Sequence, residues 1–144
     1  MKLFFTIIIL SFLQAGTGTD NKRNLLCHRW REVGMKNFSE NYKAVDKSMA
    51  EIIRFKQDGT YDKDLYGSLH FKGQWLFSND SSRIALRITE INGRVLPGND
   101  SFNNEHATDS IIKLTQDTLI IGQLKYFGPG KKYGHDDVYY LSEE

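Results

Sequence analysis

The sequence predicts an all-β protein: an antiparallel, up-and-down barrel of about eight strands, preceded by a secretory signal peptide. Three observations carry that prediction. Apolar and polar residues alternate with a period of two in several short runs, tight turn signals separate the runs, and helix-period stretches are scarce after residue 24. Alternation places successive side chains on opposite faces of a strand, so one apolar face is left to bury. Closing such a meander on itself also removes the exposed sheet edges.

The chain opens with Met1 and Lys2, an apolar run from Leu3 to Leu13, and small residues at Ala15, Gly16 and Gly18. One positive charge, an apolar core and a small-residue exit describe a secretory leader, and the run falls short of the roughly 20 apolar residues that span a bilayer. Residues 1–18 are therefore assigned to the leader and 19–144 to one domain, with no transmembrane segment in the mature chain. In a lipoprotein the lipidated cysteine directly follows the apolar run. Here Asp20, Lys22 and Arg23 precede Cys27, which reads as a small packing residue rather than a lipid anchor. The expected location is secreted, periplasmic or extracellular.

Past the leader, Ile84, Leu86 and Ile88 share one face and Arg83 and Arg87 the other. Phe71, Trp75 and Phe77 oppose Lys72 and Gln74. Gly73 leaves room on the aromatic face for a bulky neighbour or a ligand. The runs 52–55, 111–114, 119–121 and 138–141 are β-branched or aromatic, with parity less clean. Asp58-Gly59 and Asn92-Gly93 are hairpin turns whose residues tolerate positive φ. Residues 78–82 and 116–117 supply further breaks, and residues 128–137 read as a longer loop flanked by Tyr126, Phe127 and Tyr133.

Composition removes several function classes. Once Lys2 leaves with the leader, 18 basic side chains face 18 acidic ones, so there is no phosphate-neutralising surface for nucleic acid. The single cysteine excludes an internal disulfide and a Cys-rich zinc site. His28, His70, His106 and His135 lack metal-ligand spacing, and Asp58, Asp62 and Asp64 lack the spacing of a calcium loop, so they read as turn and strand-edge carboxylates. No Gly-x-Ser-x-Gly elbow and no phosphate-binding glycine loop occurs. Cys27 and His28 are strand neighbours that point apart and form no nucleophile–base pair. Three Asn-x-Ser sequons, at Asn37, Asn79 and Asn99, read as polar turns. No catalytic residue, metal site or cofactor is expected.

Candidate ligand-binding residues are the aromatics on inward faces: Trp30, Phe55, Phe71, Trp75 and Phe77. They either fill the barrel or line an apolar cavity open at one end. Leu26…Trp30, Phe55-x-x-Asp58-Gly59-Thr60, Gly73-x-Trp75-x-Phe77, Ile112-x-Leu114-Thr115, Asp117-x-Leu119-x-Ile121 and the closing Tyr139-Tyr140-Leu141 together resemble the small secreted lipocalin-like proteins of Bacteroidetes-type bacteria. The pattern departs from the first lipocalin motif at His28, where a glycine two residues before the tryptophan is expected. The resemblance implies a barrel with one open end. The expected function is non-enzymatic binding of a small hydrophobic molecule. The alternative is a filled barrel acting as a structural or inhibitor-like module against an envelope protein. A carboxylate-dependent hydrolase is the third reading.

Overall fold

Short alternating strands joined by tight turns pair here with their sequence neighbours until the last strand returns to the first. The computed structural model describes residues 17–37, 41–98, 102–125 and 134–143. Its elements are helix α1 (Thr17–Leu26), strands β1 (Arg29–Lys36), β2 (Lys43–Ala44), β3 (Ile52–Phe55), β4 (Thr60–Leu65), β5 (Leu69–Phe77), β6 (Arg83–Ile91), β7 (Arg94–Val95), β8 (Asp109–Leu114), β9 (Thr118–Lys125) and β10 (Gly134–Glu143), and a 3-10 turn at Asn104–His106. The pairing order β1-β3-β4-β5-β6-β8-β9-β10 closes through β10–β1, and every pair is antiparallel. The two-residue strands β2 and β7 hang off this ring on β1 and β6. The all-β, antiparallel expectation agrees with this architecture. No helix among the described residues is long and apolar enough to cross a membrane.

The seam between β6 and β8 is the thinnest, with only Arg83↔Ser110 and Ile84↔Asp109 paired. Beyond Ile84, β6 runs on to Ile91 without a β8 partner and instead turns back at Asn92-Gly93 to meet β7. That turn carries positive φ at both residues, as its Asn-Gly chemistry requires. The Asp58-Gly59 hairpin forms as expected between β3 and β4, with one difference in detail. Only Gly59 has positive φ, while the Asp58 carboxylate accepts from the Thr60 backbone N–H at 2.9 Å. A third hairpin, at Tyr66-Gly67, also has both residues at positive φ.

Two further differences have physical causes. Residues 134–137 form the start of β10, not loop, because they pair with β9 from Gly134↔Lys125 to Asp137↔Gly122. Long-range pairing there overrides the loop-forming composition. The first described element is a helix, in a stretch where no helix was expected. The α1 sequence TGTDNKRNLL has no apolar stripe, and its stability comes from docking on the ring. Leu26 is fully buried, Lys22 Nζ donates to the Ser81 carbonyl at 3.1 Å, and Arg23 donates to the Gln57 carbonyl at 2.7 Å. The leader assigned to residues 1–18 lies outside the described residues except where α1 begins at Thr17. Tyr126, Phe127, Tyr133 and the Asn99 sequon lie outside them too.

The core sits inside the ring at the α1 end. Trp30, Ile53, Phe55, Trp75, Phe77, Ile84 and Leu119 are buried there with Leu26. Trp75 stacks edge-on against Phe55 and Phe77 at 5.7 and 5.3 Å between ring centroids. Arg23 covers the Trp75 face at 4.7 Å. The weak parity of 111–114 also has a cause. A bulge between Ile111 and Lys113 lets both Ile111 and Leu114 pack on the core while Ile112 is exposed.

Candidate functional site

At the end of the ring away from α1, the inward positions change character. A cavity of about 380 Å³ lies there, lined by Tyr61, Lys63 and Leu65 of β4, Phe71 of β5, Leu86 and Ile88 of β6, Asp109 of β8, and Gln123 and Leu124 of β9. Its size falls within the range of small-molecule pockets. It borders the stretch of β6 that lacks a β8 partner, so the thin seam and the cavity share a cause: no strand pairs with Leu86 to Ile88 on that side, between β8 at Ile84 and β7 at Glu90.

Polar groups occupy the floor. Tyr61 is buried, and its ring lies where a Cβ at position 73 would stand, so the room left by Gly73 is taken by Tyr61 rather than by a ligand. Lys63 Nζ sits 2.6 Å from Glu51 Oε2, and the other oxygen of Glu51 accepts from the buried Tyr140 hydroxyl at 2.9 Å. The Glu51 backbone N–H donates to Glu32 Oε2 at 3.2 Å, while the Glu32 N–H donates to the Glu51 carbonyl at 2.8 Å. Asp136 is buried and shares the inward parity of Val138 and Tyr140. Asp109 begins β8 at the cavity wall.

Burial dominates the electrostatics. It pushes the Tyr61 phenol up to about 12, with the Glu51 charge adding to the effect. It pushes Tyr140 well above the ordinary phenol range, again with Glu51 reinforcing. Burial also raises Glu32 against the opposing Glu51 backbone hydrogen bond. It raises Asp109 against the pull of Thr108, the Leu124 backbone and Lys63. Among the described residues, no group of three or more His, Cys, Asp or Glu is arranged to hold a metal ion.

The mouth is apolar. Ile88 and Leu124 line the cavity and are 43% and 51% exposed, and Tyr66 and Leu69 of the adjoining β4–β5 hairpin are also exposed. Of the five aromatics singled out from sequence, Trp30, Phe55, Trp75 and Phe77 lie in the packed core, and Phe71 alone lines the cavity. The other lining residues escaped the sequence reading for two reasons. Tyr61-x-Lys63-x-Leu65 puts a lysine on an inward face and so hides the alternation. Asp109 precedes its apolar run and resembles a strand-end polar residue. Leu86 and Ile88 were visible as one apolar face, but a face does not say what it packs against. Asp58, Asp62 and Asp64 stay outside this site: Asp58 caps its turn, Asp62 pairs with Lys56 at 2.5 Å, and Asp64 contacts His70. Cys27 is a free, half-buried thiol against the core, and burial pushes its pKa up.

Among solved structures, the chain is similar to the crystal structure of a DUF4847 family protein from Bacteroides vulgatus ATCC 8482. The two share 15% sequence identity with a TM-score of 0.46, over 82% of this chain and 96% of that one. No family model and no curated protein matches the chain.

Proposed function

We propose that the chain is an exported, lipocalin-like β-barrel that performs no chemistry and holds a small hydrophobic molecule at the barrel end away from α1. The observation that supports this reading is the cavity of about 380 Å³, walled by Leu65, Phe71, Leu86, Ile88 and Leu124 together with a few polar groups. Export rests on the leader-like segment at residues 1–18. The absence of a nucleophile elbow from the sequence motivates the non-enzymatic part.

Titration with a neutral apolar dye, phenylnaphthylamine, tests the binding. The parent binds one dye saturably, and Ile88→Trp, which fills the mouth, weakens it by about tenfold or more, the worth of one well-packed apolar contact set. Dye binding that is absent, or that Ile88→Trp leaves unchanged, overturns the pocket. It would then favour the second reading, a filled barrel that meets an envelope protein, which the aromatic packing of the α1 end supports.

A further inference from the structure

The cavity is polar at its floor and apolar at its mouth, the reverse of a pocket that swallows a tail and leaves a headgroup in water. Tyr61 is 2% exposed and Lys63 and Asp109 are partly buried, whereas Ile88 and Leu124 are among the most exposed large apolar residues. An amphiphile fits this gradient only with its polar head inward.

The sign of that head follows from the charges around it. Glu32 and Glu51 lie behind the cavity wall, and the charged residues that line it are Asp109 and Lys63. Its ammonium is already held by Glu51 at 2.6 Å, and the Tyr140 hydroxyl donates to that same carboxylate, so Glu51 and Lys63 form a closed pair. Asp109 is different. Its side-chain donor is the Thr108 hydroxyl at a long 3.4 Å, it also receives the Leu124 backbone N–H, and it lies on the cavity wall. An anion entering here meets Asp109 and a lysine already paired with Glu51, whereas an ammonium meets a half-buried carboxylate able to accept a charge-assisted hydrogen bond. The cluster presents no metal-ligand arrangement, so an organic cation suits it better than a metal ion.

We propose that the cavity binds primary-amine amphiphiles head first, with the ammonium on Asp109 and the alkyl chain leaving past Leu86, Ile88 and Leu124. This rests on the pocket proposed above and assigns its ligand class.

Calorimetric titration of the full chain with decylamine, decanol and decanoate at neutral pH, each below its aggregation limit, tests it. Decylamine binds about tenfold or more tighter than decanol, the range of a hydrogen bond to a charged group, and decanoate binds weakest. Asp109→Asn collapses the amine-to-alcohol ratio towards one, and Asp109→Glu restores it. The ranking on the parent decides the question even if Asp109→Asn does not fold. Equal binding of amine and alcohol, or a preference for decanoate, overturns the head assignment while leaving the apolar pocket standing. Binding of none of the three overturns both.

Discussion

At the α1 end of the ring, Trp30, Phe55, Trp75 and Phe77 pack against one another with Leu26 from the helix above them. At the far end, the same inward positions carry Tyr61, Lys63, Glu51 and Asp109 around open space. The strands are continuous between the two ends, so the difference lies in side chains and covering elements. The α1 end has a helix, three turns braced by aspartates and a full set of aromatic neighbours. The far end has the β4–β5 hairpin, the exposed β7 appendage and the stretch of β6 beyond Ile84 that lacks a β8 partner. A ring of this size is filled where large apolar side chains meet and stays open where buried charges must keep their partners.

The turns sharpen the contrast. Asp58, Asp80 and Asp117 occupy the β3–β4, β5–β6 and β8–β9 turns. Each accepts from neighbouring Ser or Thr groups, which hold its carboxyl below the ordinary range. Asp109 and Glu32, inside the far end, are pushed the other way by burial.

Four measurements test this contrast between the two ends. The largest expected effect is Trp75→Ala, which removes the aromatic that links Phe55, Phe77 and Arg23 and lowers stability by about 3–5 kcal/mol. Phe71→Ala, on the half-buried cavity wall, costs about 1–2 kcal/mol, because less surrounding packing is lost. Urea unfolding of both variants reads the difference, and equal losses would mean the two ends are packed alike. Next comes Tyr140→Phe, which removes the hydroxyl that donates to Glu51. It costs about 1.5–3 kcal/mol, the worth of a hydrogen bond to a charged group, and a change below about 0.5 kcal/mol would show that Glu51 is satisfied by Lys63 alone.

Gly73→Ala probes the boundary between the ends. Its Cβ would run into the Arg87 backbone carbonyl and the Tyr61 ring, so a loss of about 1–3 kcal/mol is expected. A neutral result would show that β5 and β6 separate easily at this bulge. The smallest effect is the pH profile of the urea midpoint. Asp109 and Glu32 have folded pKa values above their unfolded ones, so the native state takes up their protons first and stability rises as pH falls from neutral through those folded values. Asp58, Asp80 and Asp117 have folded values below 3.8, so the stability they lend is present above that pH and is lost as pH falls through the folded values. The midpoint therefore passes through a maximum in mild acid. Asp109→Asn flattens the rise and Asp80→Asn flattens the fall. A profile that only declines from neutrality would contradict the burial argument for the far end.

Legibility from sequence followed the same division. The strands over 71–77 and 83–89 and the Asn92-Gly93 hairpin were readable because alternation and positive-φ turns are local properties. Phe55, Trp75 and Phe77 were readable as inward-facing for the same reason. The Tyr66-Gly67 hairpin was missed, since a tyrosine at positive φ is uncommon and carries no turn signal of its own. The start of β10 was missed because Gly134, His135, Asp136 and Asp137 look like loop until β9 supplies their partners.

Where strands run, where they turn back and which aromatic faces seek burial are written in the chain, because those follow from backbone sterics and a period of two. Long-range packing settles that β10 returns to β1, that a polar ten-residue segment becomes a helix over the core, and that Lys63, Glu51 and Asp109 share an interior with tryptophans. The physical reason is range. Ring closure joins residues about a hundred positions apart, as in Arg31↔Leu141. An inward charge is tolerable only when its partner arrives from another strand, as Glu51 does for Lys63.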